Sequence, residues 1–176
     1  GPYPADCSNG VNVLTESGIV RSDIRSSFGG ASGVADGVPL RLDLTIVSVS
    51  GGGTPLAGAA LYAWHCDAEG RYSMYSQGAQ NENYLRGVQV ADSAGRLSFT
   101  SIFPAAYSGR WPHVHFEVYP TVDAATTASG KLRTSQLAFP QDVCDAVYAD
   151  ASRYPNSAQN MTRTSLDSDM VLADGY

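Results

Sequence analysis

Two histidines separated by one residue are the first feature of this sequence that could do chemistry. His113-Val114-His115 lies in the run 111–119, which alternates apolar and polar residues like a strand. Because successive side chains of a strand point to opposite faces, we expect both imidazoles on one face and Val114 on the other. Two nitrogen donors on one face can bind a single metal ion. The pair alone does not choose among zinc, copper and iron.

A tyrosine shortly before the histidines narrows the choice of metal. Tyr107 begins the segment 107–112, in which Gly109 and Pro112 favour a turn that folds Tyr107 back toward the histidines. A phenol has an ordinary pKa of about 10, so ionising it at neutral pH favours a strongly Lewis-acidic, trivalent ion. Tyrosine beside histidine therefore points to Fe(III).

Other interpretations of these residues lead to different functions. His65 is the third histidine of the chain, and with His113 and His115 it could form a zinc site. Its alternation places it opposite Trp64, which favours a structural role. Tyr72 ends a Gly-x-Tyr pattern that also occurs in transthyretin-like β modules without metal. A metal-free binding or accessory module is therefore the alternative to an enzyme.

Short runs of alternating residues would supply the strands that position these side chains. They cover residues 38–49, 56–65, 88–90, 96–102, 111–119 and 132–139. Many short strands with Gly, Asp, Ser and Pro between them are typical of an antiparallel sandwich. Only 142–149 has the pattern of a helix. The predicted fold class is all-β: an antiparallel β-sandwich with one short helix and wrapped, irregular termini.

Length predicts a single domain over residues 1–176. We expect an N-terminal arm over 1–37, a core over 38–145 and a C-terminal arm over 146–176. The arms are rich in polar and small residues with scattered apolar anchors, as expected for segments wrapped on a sandwich.

Charge and hydropathy exclude several classes of partner. The formal net charge is -6 and charged residues make up 16% of the chain, so no basic surface is expected for nucleic acid or anionic lipid. No apolar run approaches the roughly 18 residues of a membrane span. The first residues, Gly1-Pro2, suggest a trimmed product. The composition, with 18 glycines, few lysines and three cysteines, favours an extracellular protein.

The three cysteines allow three disulfide pairings, and the sequence does not choose among them. A bond between Cys66 and Cys144 could attach the predicted helix to the sheet. The alternative is that the cysteines are small buried apolar residues, which is common for this residue type.

Several segments, in order, resemble the intradiol ring-cleavage dioxygenases. They are residues 61–73, 85–90, 92–100, 102–107 and 113–116. The segment 135–140 is similar to the strand that follows the family's site, so the likeness covers about 38–145. The short length and the Trp64-His65-Cys66 variant resemble the secreted branch of the family.

The resemblance implies a set of site residues. One Fe(III) per chain would be held by Tyr72, Tyr107, His113 and His115. Two further residues would act on the bound substrate. Arg110 would lie over the ring and stabilise developing charge, and Gln136 would complete its surroundings.

The reaction that the resemblance implies is ring opening of catechol-type compounds, as in catechol 1,2- or protocatechuate 3,4-dioxygenases. Dioxygen would cleave the ring between the two hydroxyl-bearing carbons to give cis,cis-muconic acids. Tyr107 would accept a substrate proton, and no organic cofactor would be needed. Plant-derived aromatics outside the cell would be the substrates.

The chain departs from the family before Arg21-Ser22-Asp23-Ile24. A Gly-Pro-Tyr-Tyr-like entry segment often precedes that element, whereas residues 15–20 run directly into it here. The departure predicts a shallow, open pocket that accepts varied catechols.

Overall fold

Antiparallel strands make up most of the regular structure of residues 2–173, which are the residues that this computed structural model describes. The elements are β1 (Pro39–Thr45), β2 (Val47–Ser48), β3 (Thr54–Pro55), β4 (Ala60–Trp64), β5 (Arg86–Val90), β6 (Arg96–Ile102), β7 (His113–Tyr119), β8 (Arg133–Ala138), α1 (Gln141–Tyr148) and α2 (Ser157–Met161). Strands β5, β4, β7 and β8 form one sheet in that order, and β1 pairs with β6 in a second. All these pairings are antiparallel, which confirms the predicted fold class.

The central strands of the four-stranded sheet, β4 and β7, are buried on both faces, which β4 illustrates. Leu61 and Ala63 pack toward the β1–β6 pair, in one apolar cluster with Phe99. The alternate residues Tyr62 and Trp64 point to the opposite face and belong to a separate, larger cluster. One face of this sheet therefore closes the sandwich, and the other is covered by irregular chain.

The covering layer over that second face comes mainly from the N-terminal arm and the long β4–β5 connection. Ala5 and Val13 of the arm are fully buried against it. Tyr62 donates a hydrogen bond to the Pro4 carbonyl (2.8 Å), and Trp64 donates to the Pro2 carbonyl (3.2 Å). The polar tips of buried aromatic residues thus fix the arm on the sheet.

Several boundaries differ from the sequence prediction for local reasons. The run 38–49 is interrupted at Ile46 and continues as the two-residue β2. Strand β7 begins at His113, because Pro112 has no amide hydrogen for the ladder. The one predicted helix is confirmed as α1, and a further short helix, α2, lies in the C-terminal arm. Residues 1 and 174–176 of the predicted arms lie outside the described residues.

The possible disulfide between Cys66 and Cys144 is not formed in this structure, which has the alternative of buried core cysteines. Both thiols are buried and free, and the exposed Cys7 is also free. Cys66 donates to the Ala105 carbonyl at 3.5 Å, and Cys144 approaches the Phe139 carbonyl at 4.0 Å. Burial raises the pKa of the Cys144 thiol to about 12. Both buried cysteines therefore act as small core residues.

Within residues 2–173, no helix is long and apolar enough to span a membrane.

Candidate metal centre

Strand β7 places both histidines on the arm-covered face of its sheet. Val114 packs on the other face, with the sandwich core, as its alternation predicts. The two imidazoles are buried, and their Nε2 atoms lie 3.0 Å apart. Trp64 is the β4 neighbour of His115 and stacks on it, with the rings 4.9 Å apart and 9° from parallel. The rigid ladder thus fixes the position of His115.

Tyr72 reaches the histidines from the β4–β5 connection. Its hydroxyl lies 3.0 Å from His115 Nε2. The connection is held to the sheet by Arg86 of β5, whose guanidinium donates to the side-chain and carbonyl oxygens of Ser73 (3.0 and 2.8 Å). Gly70 has φ +84°, and a Cβ there would lie 3.2 Å from the Cβ of Tyr107. Glycine therefore allows the two tyrosine-bearing segments to pack closely.

Tyr107 completes the cluster from the loop before β7. Its hydroxyl lies 3.2 Å from His113 Nε2 and 3.3 Å from the Tyr72 hydroxyl. Four donor atoms therefore form a closed ring with edges of 3.0 to 3.3 Å. Metal–donor bonds of about 2.1 Å meeting at about 90 to 105° give the same separations. The donor set fits one metal ion.

The hydrogen bonding of the imidazoles leaves lone pairs for such an ion. His113 Nδ1 faces the Trp111 carbonyl, which can only accept, so Nδ1 carries the proton and Nε2 is unprotonated. Burial lowers the pKa of His113 to about 4, and that of His115 well below its ordinary value. Both rings are thus neutral at pH 7. His113 Nε2 therefore has a lone pair for a bound cation, and His115 Nε2 lies 3.0 Å from it.

The phenols indicate how much charge such an ion must carry. Burial raises the pKa of Tyr72 well above its ordinary value and that of Tyr107 to about 12. Neither phenol ionises at neutral pH in this buried cluster without a strong positive charge. A phenolate pair therefore requires a strongly Lewis-acidic ion.

Arg110 and Gln136 lie together beside the cluster, although they are distant in sequence. Gln136 is the β8 neighbour of His115 in the ladder. Its Oε1 accepts a hydrogen bond from Arg110 Nη2 at 2.5 Å. The guanidinium charge is close enough to offset part of the burial that raises the pKa of Tyr107, and to add to the burial that lowers the pKa of His113. The structure thus brings together all six residues that the sequence singled out.

Two further residues at the site were missed by the sequence interpretation. The Tyr3 ring packs 4.8 Å from that of Tyr72, although residues 15–20 had indicated an open pocket. The Gly1-Pro2-Tyr3 run resembles the expected entry segment, which was the available signal. Asp169 accepts from Arg110 Nε at 2.9 Å. No local pattern marks it, because it comes from the C-terminal arm.

His65 lies apart from the four donors. Its Nδ1 lies 2.7 Å from the Cys66 carbonyl and its Nε2 lies 2.7 Å from Ser101 Oγ. Both ring nitrogens are therefore engaged in hydrogen bonds of the scaffold. Among residues 2–173, no three His, Cys, Asp or Glu side chains form a group that could hold a metal. The histidine pair is instead completed by tyrosines.

Sequence comparisons identify the family of this chain. It is 38% identical over 55 residues to a chlorocatechol 1,2-dioxygenase of Rhodococcus opacus, which is 31% of this chain and 21% of that protein. A catechol 1,2-dioxygenase of Candida albicans also matches at 38% over 55 residues, 18% of its length. A family model described as dioxygenase matches residues 30–163, more than half of the chain. The chain belongs to the intradiol ring-cleavage dioxygenase family. Its match spans about a fifth of each curated relative.

Solved structures of dioxygenases share the fold. An intradiol ring-cleavage dioxygenase from Tetranychus urticae superposes with a TM-score of 0.70 at 23% identity, covering 90% of this chain and 75% of that one. The dioxygenase domain of a dioxygenase carbohydrate-binding protein fusion from Streptomyces sp. SirexAA-E has a TM-score of 0.50 at 26% identity. That match covers 75% of this chain and 74% of the other.

Proposed function

We propose that this intradiol dioxygenase relative is an Fe(III) enzyme that opens catechol-type rings between their two hydroxyl-bearing carbons. The observation that carries the proposal is the closed ring of two phenol oxygens and two imidazole nitrogens, with edges of 3.0 to 3.3 Å. Tyr72, Tyr107, His113 and His115 would hold one ion per chain. When bound, Fe(III) would supply the Lewis acidity that ionises the phenols and activates a catechol toward dioxygen.

The two tyrosines have different roles in this proposal. Tyr72 is almost fully buried, whereas Tyr107 lies on a loop and is partly exposed. Tyr107 is thus the more accessible of the two oxygens for an entering catechol. Tyr107 therefore accepts a proton from the entering catechol, while Tyr72 stays in place as a structural ligand.

The neighbouring residues bind and orient the substrate. The fixed positive charge of Arg110 stabilises negative charge that develops on the ring. Gln136 holds one edge of that guanidinium, and the stacked Trp64 excludes water behind His115. The ring is cleaved with both atoms of one dioxygen retained, so catechol gives cis,cis-muconic acid without an organic cofactor.

Extracellular plant-derived aromatics are the proposed substrate source. The composition supports this location, with few lysines and many small and polar residues. The Streptomyces relative is a fusion with a carbohydrate-binding protein from a cellulolytic bacterium, which links a similar dioxygenase domain to plant material. Detection of the protein in the culture fluid, rather than in the cell fraction, would support the location, and retention in the cells would contradict it.

The test of the proposed centre is a visible spectrum of the iron-loaded protein before and after anaerobic addition of catechol. We expect one iron per chain and a tyrosinate-to-iron band that shifts to longer wavelength with catechol. Oxygenation should then yield muconic acid that carries both labelled atoms of ¹⁸O₂. A colourless protein that retains iron would refute the ligand set, and a protein without iron would favour a metal-free binding module.

Replacing Tyr72 with phenylalanine is the sharpest ligand variant. We expect Tyr72→Phe to weaken and shift the visible band, because only the Tyr107 tyrosinate remains, and to lose at least about tenfold in iron affinity, because one of the four ligands is lost. Tyr119→Phe is the matched control, since Tyr119 is buried at the other end of β7 and donates to Glu117. Equal colour and iron content in both variants would contradict the assignment.

A further inference from the structure

The Asp169 carboxylate is the polar anchor of the C-terminal arm. It is 0% exposed. Its Oδ2 accepts hydrogen bonds from Arg110 Nε (2.9 Å) and from the Trp111 amide (2.8 Å). Its Oδ1 accepts from the amides of Val171 and Leu172 at 2.9 and 3.1 Å. One carboxylate therefore joins the arm to the loop that connects Tyr107 to β7.

Arg110 is held along two of its edges. Asp169 binds Nε and Gln136 binds Nη2, so rotation of the guanidinium plane is restricted on both sides. Nη1 donates no hydrogen bond to any of residues 2–173, and this atom is not fully buried. The guanidinium thus keeps free donors on its accessible edge. Such a group is preorganised for an anionic oxygen.

The chain just before Asp169 has its own local order. Ser165 and Ser168 form a reciprocal capping box around the single turn Leu166–Ser168. Leu172, just after the carboxylate, is buried. The segment before Asp169 is thus locally ordered, the residue Leu172 after it is buried, and docking of the arm delivers a negative charge to the buried arginine.

We propose that Asp169 is a positioning residue that orients Arg110 toward the bound catechol, an inference that rests on the proposed function for its substrate. It acts through Arg110 and does not touch the reacting atoms. The C-terminal arm thereby completes the site: the guanidinium has its working orientation only when the arm is docked. Removing the carboxylate leaves Arg110 charged and held on one side only, by Gln136, so that the guanidinium can turn away from the substrate.

The kinetic test compares Asp169→Asn with Asp167→Asn, a matched control on the same arm whose carboxylate is exposed. We expect kcat/KM for catechol to fall about tenfold or more in Asp169→Asn, mainly through kcat, and to stay within about twofold in the control. Combining Asp169→Asn with Arg110→Ala should add no further loss to that of Arg110→Ala alone. Fully additive losses would show that Asp169 only supports the fold, and would overturn the proposal.

A second readout needs neither iron nor turnover. In ¹⁵N-labelled, metal-free protein, the Arg110 Nε–H signal is assigned by its absence in Arg110→Ala. We expect slow hydrogen exchange of this signal in the wild type and in Asp167→Asn, and at least about tenfold faster exchange in Asp169→Asn. An unchanged exchange rate in Asp169→Asn would overturn the proposal.

These experiments distinguish a failure of the proposed function from a failure of the proposed role of Asp169. A wild-type protein that does not open catechol removes the proposed function, while the exchange rate of the Arg110 signal still decides whether Asp169 holds the guanidinium. If Asp169→Asn does not fold, Asp169→Glu keeps the charge on a longer side chain. The effect of Asp169→Glu on kcat is then measured both in the wild type and in the Arg110→Ala variant. A loss of the same size in both would contradict the proposal. A loss that is seen only when Arg110 is present would support it.

Discussion

Tyr3 forms one wall of the candidate site. Its ring lies 4.8 Å from that of Tyr72 and 5.2 Å from that of Tyr75, yet Tyr3 is 42% exposed. A half-exposed aromatic ring beside a proposed metal ligand offers a face on which a flat substrate can stack. Asp169 is its counterpart on the opposite arm of the chain. Both arms therefore supply residues to the centre.

Removing the Tyr3 ring should weaken substrate binding. We expect Tyr3→Ala to raise KM for catechol about three- to tenfold with a smaller change in kcat, because a stacked aromatic pair is worth about 0.5 to 1.5 kcal/mol. Tyr3→Phe keeps the ring and should behave like the wild type. Steady-state oxygen uptake measures both variants. An unchanged KM in Tyr3→Ala would show that the ring does not contact the substrate.

At the scale of elements, the β4–β7–β8 ladder positions the rigid half of the site. Trp64, His115 and Gln136 are direct neighbours across three strands. On the other side of β4, strand β5 is covered by the N-terminal arm at Gly87. A Cβ there would lie 2.5 Å from Ile24 Cγ2 and 3.2 Å from the Arg21 carbonyl oxygen. The arm packs this closely only because position 87 has no side chain.

A methyl group at position 87 should therefore push the arm off the sheet. We expect Gly87→Ala to lower the free energy of unfolding by about 1 to 3 kcal/mol, as overpacking of a close contact does. Gly30→Ala is the control, since nothing lies within 4 Å of a Cβ at Gly30. Urea denaturation followed by tryptophan fluorescence measures both. Equal stability of the two variants would contradict the proposed close packing.

At the scale of the whole molecule, a buried charge cluster docks the N-terminal arm. The only lysine in the sequence, Lys131, lies 3.3 Å from Asp6 of the arm and 2.7 Å from Glu117 of β7. Both carboxylates are fully buried. Burial alone would raise the pKa of Asp6, but hydrogen bonds from Ser8 and Lys131 hold it below its ordinary value. The arm thus depends on Lys131 to neutralise two buried negative charges.

Replacing this lysine should destabilise the protein in a pH-dependent way. We expect Lys131→Met to cost about 3 kcal/mol at pH 7, near the lower end for breaking buried ion pairs because Lys131 is partly exposed. Since the folded pKa of Asp6 is depressed, its contribution is present above about pH 4 and is lost as the pH falls through the lowered value. Arg133→Met, an exposed neighbour on β8, is the control. Thermal unfolding across pH measures both, and a cost that grows toward acid would contradict this account.

The sequence by itself determined the fold class and the histidine half of the site. Period-two alternation fixed which faces of β7 carry His113, His115 and Val114, because strand geometry leaves no other choice for consecutive residues. Tyr107 was placed near the histidines by the turn at 107–112, whereas Tyr72, Arg110 and Gln136 were found through the family resemblance. Their convergence could not be derived locally, since they come from two loops and a separate strand.

Only the tertiary structure decided which distant segments complete the centre. Tyr3 and Asp169 lie on arms without regular strands, so no periodicity indicates where their side chains point. The same holds for Cys66 and Cys144, which share one apolar cluster without a bond between them. Local patterns report the face of an element, whereas contacts between distant segments follow from how the buried layers pack. The ladder was therefore predictable, and the closing of the site by the two arms was not.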